Sequence, residues 1–401
     1  MFSRSISLER AVDLNNVCRG DGLLFVREGV GYAGRNVLAS GNEQEINAIL
    51  QSISSTGTTP NPMVAFGLVP FHPHKDATFF LPSFQVAVSN DGTCTATLIG
   101  ASESDVSEEK ILEAVRSTTG LPPRPSANNF RVSPRMDVDS YLSTVQLARD
   151  SIRAGKFQKV VIARDIEIEA QNPIDVHSVL QRLRSSFGSS YRYSVGNMIG
   201  ASPELLVHVD GRTIRSHPLA GTAPRTGDPD TDATLAQELI ESTKNQLEHS
   251  LVVDMVRDTL LPHCSFLDWE AEPSIVTVAN VQHLGTAVEG ALTEPAEPVM
   301  SFVRMLCPTP ALGGYPSETA IAFIDEHEEM ERGFYGGAVG VMDSTGNGTF
   351  AVAIRCAHLS DDRRIARLFA GGGIVSESDP YSELAETQAK FQAMLSAIVR
   401  P

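Results

Sequence analysis

Phe157-Gln-Lys-Val-Val-Ile-Ala-Arg164 reads as a β-strand with a lysine near its head. Alternate side chains of a strand fall on opposite faces. Val160, Ile162, Ile166 and Ile168 then share one face, and Phe157, Lys159, Val161, Ala163 and Asp165 the other. Lys159 therefore stands among apolar and small side chains. Taken on this segment alone, it is a strand-end lysine whose ammonium reaches water. A desolvated ammonium instead gives up its proton more readily, which would make Lys159 a base at neutral pH.

Working outward, Asp139 is a candidate N-cap, Tyr141, Val145, Ala148 and Ile152 follow at helical spacing, and Gly155 is a stop signal, so a helix feeds this strand. Upstream, residues 23–26, 63–68, 79–88 and 94–99 read as strands, the last two joined through Asn90-Asp91-Gly92, with a helix over 108–117. The stretch 120–129, Gly-Leu-Pro-Pro-Arg-Pro-Ser-Ala-Asn-Asn, is linker-like and marks a boundary. Downstream, strands are expected at 191–195, 204–209 and 213–215, the last two joined by Asp210-Gly211. Residues 232–261 lack Pro and Gly and read as one or two helices ended by Pro262. The remainder alternates: a strand near 276–278, helices near 298–306 and 318–331, strands at 337–342, 349–354 and 366–370, and a helix over 381–399. Nothing repeats at a fixed period, which excludes a solenoid or propeller.

The 401 residues carry 32 Lys plus Arg against 49 Asp plus Glu, a net charge of −17. A chain this acidic is a poor partner for nucleic acid or an anionic membrane, so a small-molecule substrate is expected. Cys18, Cys94, Cys264, Cys307 and Cys356 are odd in number and form no CxxC pair, so neither a disulfide framework nor a zinc site is indicated. That fits a reducing cytosol. The N-terminus has no long apolar run, and no eighteen apolar residues stand together; a cytoplasmic, unanchored protein is expected.

Gly29-Val-Gly31-Tyr-Ala-Gly34 matches GxGxxG, but no helix opens on it and no acid follows about twenty residues on, so a nucleotide site is rejected. Asp325-Glu-His-Glu-Glu-Met-Glu-Arg332 has one histidine and no HExxH spacing, and reads as a solvated helix face. On the last helix Leu384, Phe391, Leu395 and Ile398 form one stripe, and Glu383, Glu386 and Lys390 a second. Two carboxylates at i, i+3 can reach one cation, although on this helix alone a Glu386–Lys390 pair on an exposed face explains the second stripe better. Glu248, interrupting an increasingly apolar helix, offers a third carboxylate, and three hard oxygen ligands suit magnesium. Arg355, read as lying within the strand Val352-Ala-Ile-Arg-Cys356, could grip a carboxylate. The glycines at 371–373 would let backbone N–H groups approach the same anion.

These segments occur in an order that resembles the chorismate-utilising enzymes. The resemblance rests on Lys159-Val-Val-Ile-Ala-Arg, Ala201-Ser-Pro-Glu204, Pro218-Leu-Ala-Gly-Thr, Leu247-Glu-His-Ser-Leu-Val and Gln282-His-Leu-Gly-Thr. It continues in Pro308-Thr-Pro-Ala-Leu-Gly-Gly, Phe334-Tyr-Gly-Gly-Ala-Val-Gly, Ile354-Arg-Cys-Ala, Leu368-Phe-Ala-Gly-Gly-Gly and Glu383-Leu-Ala-Glu386-Thr. It implies an α+β (α/β) fold with a β-sandwich core ringed by helices, a single domain over 1–401. Residues 1–130 are its less specific β-rich part and 137–400 its motif-bearing catalytic part, which turns the 120–129 boundary into a surface loop. It also implies Mg2+ held by Glu248 and Glu386, with Glu383 ligating directly or through water, and chorismate bound to that ion by one carboxylate. A dianionic substrate could not sit beside three glutamates without a cation between them. Arg355, Gly371 and Lys390 resemble the grip on the other carboxylate, His283 lines the pocket, and Gly221 with Thr222 resembles a substrate-contacting turn.

The branch follows from three positions. Ammonia-using relatives typically carry glutamine where this chain has Lys159, aminodeoxychorismate synthases a lysine where it has Ala220, and salicylate synthases threonine where it has Ala311, here followed by Leu312. Cys307 stands where many isochorismate synthases have histidine. The resemblance thus implies hydroxyl transposition, the isochorismate synthase reaction. Neutral Lys159 would take a proton from water attacking C2 of chorismate, and protonated Glu204 would give one to the departing C4 hydroxyl. Burial pushes both groups towards those states. Isochorismate would serve menaquinone, siderophore or salicylate synthesis alike. A monomer without a glutaminase subunit is expected; the rival readings are salicylate synthase, anthranilate synthase and a non-catalytic chorismate-binding relative.

Overall fold

The computed structural model describes residues 1–400 except 58, 60–62, 73 and 119–126. The linker-like stretch 120–129 therefore lies mostly outside the described residues.

The strand with which the reading began runs from Lys159 to Ala170. One edge is paired antiparallel with Ile365–Ile374, from Val160 opposite Ile374 to Glu169 opposite Ile365. The other edge is covered at its two ends, by Gly314–Tyr315 beside Val160 and Lys159 and by Phe130–Pro134 beside Ala170 to Ile166. From Ile365–Ile374 the pairing continues through Cys356–Leu359, Met198–Ser202 and Tyr191–Val195 to Leu23–Arg27, Val30–Gly41 and Thr78–Val88. There the sheet forks. One branch holds Cys94–Gly100 and Phe2–Leu8. The other passes through Val64–Val69, Ala338–Asp343, Gly348–Val352, Leu205–Asp210, Thr213–His217 and Val288–Leu292 to Cys264–Trp269.

The main core draws Phe66, Phe79, Tyr193, Val207 and Phe350 from strands of both halves of this ribbon, each such side chain contributing roughly 1.5–3 kcal/mol on burial. Helices Val176–Phe187 and Pro380–Val399 pack with Ile166, Ile168 and Leu368. Helices Val138–Arg153 and Ser317–His327 pack with Val160, Ile162 and Ile374. The mixed architecture, a large antiparallel sheet ringed by helices, is the one expected. Among the described residues no helix is long and apolar enough to cross a membrane.

Several local readings change. Asp137, not Asp139, caps the helix Val138–Arg153, its carboxylate accepting from the N–H groups of Asp139 and Ser140. The GxGxxG segment is a hairpin: Glu28 and Gly29 take positive φ values of 52° and 86° between Leu23–Arg27 and Val30–Gly41, as a two-residue turn requires. Residues 232–261 are divided at Ser242, which ends Pro229–Glu241 and caps Thr243–Leu260 through Asn245 N–H. The helix expected over 318–331 stops at His327. Beyond it Glu328 and Arg332 are buried, not solvated.

Candidate active site

Lys159 is completely buried, and its Nζ lies 3.0 Å from Glu248 Oε1. The contact is at ion-pair distance but off hydrogen-bond alignment, so Nζ lacks a directed partner. The lysine expected among apolar neighbours thus faces a carboxylate supplied by the helix Thr243–Leu260. Burial works to raise Glu248, but Lys159, through its charge and its closeness, together with Lys390 and Lys244, outweighs it and holds the carboxyl below its usual range.

The glycines at 371–373 make room for these groups. A Cβ on Gly373 would stand 2.6 Å from Glu248 Oε1 and 3.0 Å from Lys159 Cε, and one on Gly372 would stand 2.7 Å from Glu383 Oε2. The Gly371 carbonyl accepts from Lys390 Nζ at 2.7 Å. The run stands in register with Val161, Ile162 and Ala163 of the paired strand, and its lack of side chains clears space for these groups.

Three lysines face the three predicted ligand carboxylates: Lys159 with Glu248, Lys390 with Glu386 at 2.6 Å, and Lys244 with Glu383 at 3.3 Å. Glu383 is buried, which overturns an exposed face for this stripe. Its Oε1 accepts from Ser378 Oγ at 2.7 Å, while Oε2 is buried without a partner among the described residues. Burial and then the Glu386 charge push Glu383 up. Burial works to lower Lys244, but Glu383, Glu248 and Glu386 outweigh it and hold the ammonium above its usual value.

Across the cavity Glu204 is buried between Met198–Ser202 and Leu205–Asp210. Burial pushes it up to about 8, against the pull of the Leu219 N–H and the Lys159 charge. Arg355 lies outside the strands flanking it, Gly348–Val352 and Cys356–Leu359, and takes a φ of 50°. The strand drawn through it from sequence is broken at the residue whose side chain lines the cavity. Its Nη2 donates to His283 Nε2 at 3.1 Å, and His283 Nδ1 lies 3.0 Å from the Gly221 carbonyl and 3.2 Å from Thr222 Oγ1. A guanidinium only donates and a carbonyl only accepts, so His283 is neutral with its proton on Nδ1. Burial and the Arg355 charge depress it to about 3.

Glu204, Gly221, Thr222, Glu248, His283, Ala311, Leu312, Arg355, Gly371, Glu386 and Lys390 line one cavity, about 550 Å³ of space partly open to solvent. Lys159 and Glu383 stand behind that lining, Lys159 against Glu248 and Gly373, and Glu383 against Gly372 between the lining residues Gly371 and Gly373. Sequence reasoning missed Tyr335 and Val161, which also line it, and Lys244. Lys244 had a signal, its i, i+4 spacing to Glu248 on one helix face.

All the carboxylate donors are hard oxygens, and the unpartnered Oε2 of Glu383 is an orphaned buried acceptor of the kind a divalent cation satisfies. Among the described residues no three acidic, His or Cys groups already enclose one point. The chemistry of the set fits a cation that would compete with the three lysines.

Residues 40–399 match the family described as chorismate binding enzymes. The chain is 42% identical over 320 residues, 75% of its length and 86% of the other's, to a Mycobacterium tuberculosis protein provisionally named isochorismate synthase MenF. It is 34% identical over 336 residues, 81% of its length and 70% of the other's, to isochorismate synthase MenF of Bacillus subtilis. The crystal structure of MenF, the menaquinone-specific isochorismate synthase of Escherichia coli, superposes with a TM-score of 0.82 at 24% identity, over 99% of this chain and 94% of that one, and shares the fold.

Proposed function

Because the chain belongs to the chorismate binding enzymes, we propose that it interconverts chorismate and isochorismate, an isomerase reaction. The observation that carries the mechanism is Glu204, pushed up to about 8, in a cavity whose wall of Glu248 and Gly373 has buried Lys159 directly behind it. Glu204 keeps its proton at neutral pH and is the general acid. Lys159 is the general base. Water adds at C2, losing a proton to Lys159; the ring double bonds shift; the C4 oxygen leaves with a proton from Glu204 as water. Atoms balance, since one water enters and one departs.

Arg355, fixed by His283, and Lys390, fixed on the Gly371 carbonyl, hold one substrate carboxylate. Gly221 and Thr222 brace His283 from behind, and Ala311 with Leu312 forms part of the cavity wall. Mg2+ held by Glu248, Glu386 and Glu383 would neutralise the second carboxylate and take Glu248 out of its pair with Lys159. The reading needs no glutaminase subunit, because Lys159 activates water and not ammonia, and the five unpaired cysteines fit a cytoplasmic setting.

The test is to incubate the purified protein with chorismate and Mg2+, with and without ammonium and EDTA, and separate the products by chromatography and mass. Isochorismate, lost with EDTA and indifferent to ammonium, is expected. Salicylate with pyruvate would move the chain to the eliminating branch, anthranilate would remove Lys159 as base, and no conversion would leave a binding protein.

A further inference from the structure

Among the described residues, no strand pairs with the middle of one edge of the Lys159–Ala170 strand. Gly314–Tyr315 pairs with it as far as Val160, and Phe130–Pro134 from Ile166 onward. In the gap, Val161 N–H still reaches the Gly313 carbonyl, and Arg135 N–H reaches the Asp165 carbonyl. The groups between them are met by side chains. Ala163 N–H donates to Glu328 Oε2 at 2.9 Å, and Arg332 Nη2 donates to the Val161 carbonyl at 2.8 Å. Arg332 Nη1 donates to the Leu312 carbonyl at 2.8 Å. The two side chains close on each other in a two-pronged pair, both bonds 2.6 Å, and are 1% and 2% exposed. The guanidinium lies 4.3 Å from the centre of the Phe71 ring and 6.0 Å from that of Tyr335.

One buried cation thus touches Val161, Leu312 and Tyr335, three residues that line the cavity, while lying outside the lining itself. Stability alone does not call for this device, since an apolar pair of similar volume is often as stable as a buried ion pair. An apolar pair cannot hold main-chain groups, and a lysine lacks the planar fork that reaches several acceptors at fixed angles.

We propose that Glu328 and Arg332 are positioning residues for the reaction: they fix the wall of Val161, Leu312 and Tyr335, and with it the angle at which the substrate ring meets Lys159 and Glu204. The inference rests on the functional reading above. Misplacing reacting groups by about 1 Å costs on the order of a hundredfold in rate. The loss falls on kcat, because the carboxylate grip through Arg355 and Lys390 is built from other contacts.

The experiment compares the parent, Arg332→Lys, the double variant Glu328→Gln with Arg332→Met, and Leu180→Ala, a core truncation in the helix Val176–Phe187 away from the cavity. Each is measured for kcat and KM on chorismate and for its urea midpoint. The double variant leaves no lone buried charge but strips the donor from the Val161 and Leu312 carbonyls, so its midpoint is expected to fall no further than that of Leu180→Ala; assayed well below that midpoint, it is expected to lose about ten- to a hundredfold in kcat, with KM within about threefold. Arg332→Lys keeps the charge pair, and a similar fall in its kcat is expected. Leu180→Ala is expected to lose stability and keep kcat. A double variant or an Arg332→Lys protein turning over at the parent's rate overturns the proposal, as does a fall in kcat for Leu180→Ala equal to theirs. A parent that makes no isochorismate overturns the functional reading itself, and this proposal with it.

Discussion

On the cavity side of the Lys159–Ala170 strand three lysines face three glutamates with atoms left over, whereas at the strand's edge Glu328 and Arg332 satisfy each other and three main-chain groups. Among the described residues Lys159 Nζ has only its ion pair with Glu248 and Glu383 Oε2 has no partner, while Glu204 is driven up to about 8. The orphaned Oε2 and the raised Glu204 are costs in the folded chain alone, since burying a polar or charged group without full compensation is unfavourable. The difference separates charge held ready for a ligand from charge committed to the scaffold. Perturbed groups gathered in a cleft mark a working site; a bidentate pair fully spent on backbone does not.

The largest expected effect tests the cavity side. Lys159→Ala and Glu204→Gln should each lower turnover by about 10²–10⁴, the usual cost of losing a general base or acid. Steady-state assays with chorismate check this, alongside circular dichroism to show that the fold persists. A loss of only a few-fold would break the comparison at its first term.

Next is the contrast in stability. Arg332→Met alone leaves Glu328 charged and buried, and should cost about 3–5 kcal/mol in urea unfolding. Glu386→Gln, at a pair whose carboxylate is 29% exposed, should cost at most about 1 kcal/mol. Equal losses would mean that the two clusters are held alike.

The third expectation concerns pH. Glu204, raised from 4.5 to about 8, keeps its proton when folded over a range where the unfolded chain has lost it. Folding stability therefore declines as pH rises from about 4.5 to about 8, by an amount on the order of a few kcal/mol. Glu204→Gln should flatten that decline. In the parent kcat should fall, about tenfold per pH unit, once pH passes the value at which the acid is lost.

The cavity side was largely legible beforehand and the scaffold side was not. Alternation around Lys159, the stripes of the last helix and the ordered segments shared with the chorismate binding enzymes brought the lining residues together before any coordinates. Glu328 and Arg332 escaped because five acids crowd the stretch 325–332 and resemble a wet helix face. The burial comes from Phe71 and from the strand beginning at residue 159, far away in the chain. Arg355 was assigned to a strand because its neighbours are apolar and β-branched; a left-handed φ in a non-glycine residue leaves no such mark in sequence. The boundary at 120–129 came from composition, which reports loops without saying that residues 23–27 pair with 191–195 in one sheet.

The smallest effect sharpens the comparison most. Lys244 keeps 37% of its side chain exposed in its pair with Glu383, so the pair itself is worth about 0–1 kcal/mol. If the cavity carboxylates are held ready for a cation, Lys244 is a competitor, and Lys244→Met should tighten Mg2+ binding by up to about fivefold. The readout needs no turnover: Mg2+ titrated into substrate-free protein should raise the unfolding midpoint of the parent by ligand linkage, and do so at lower concentration in the variant. Glu386→Gln should lose most of that rise. Weaker binding in Lys244→Met would mean that the lysine orients Glu383 for the ion, as Arg332 orients the wall, and the boundary between committed and available charge would then run through the cavity itself.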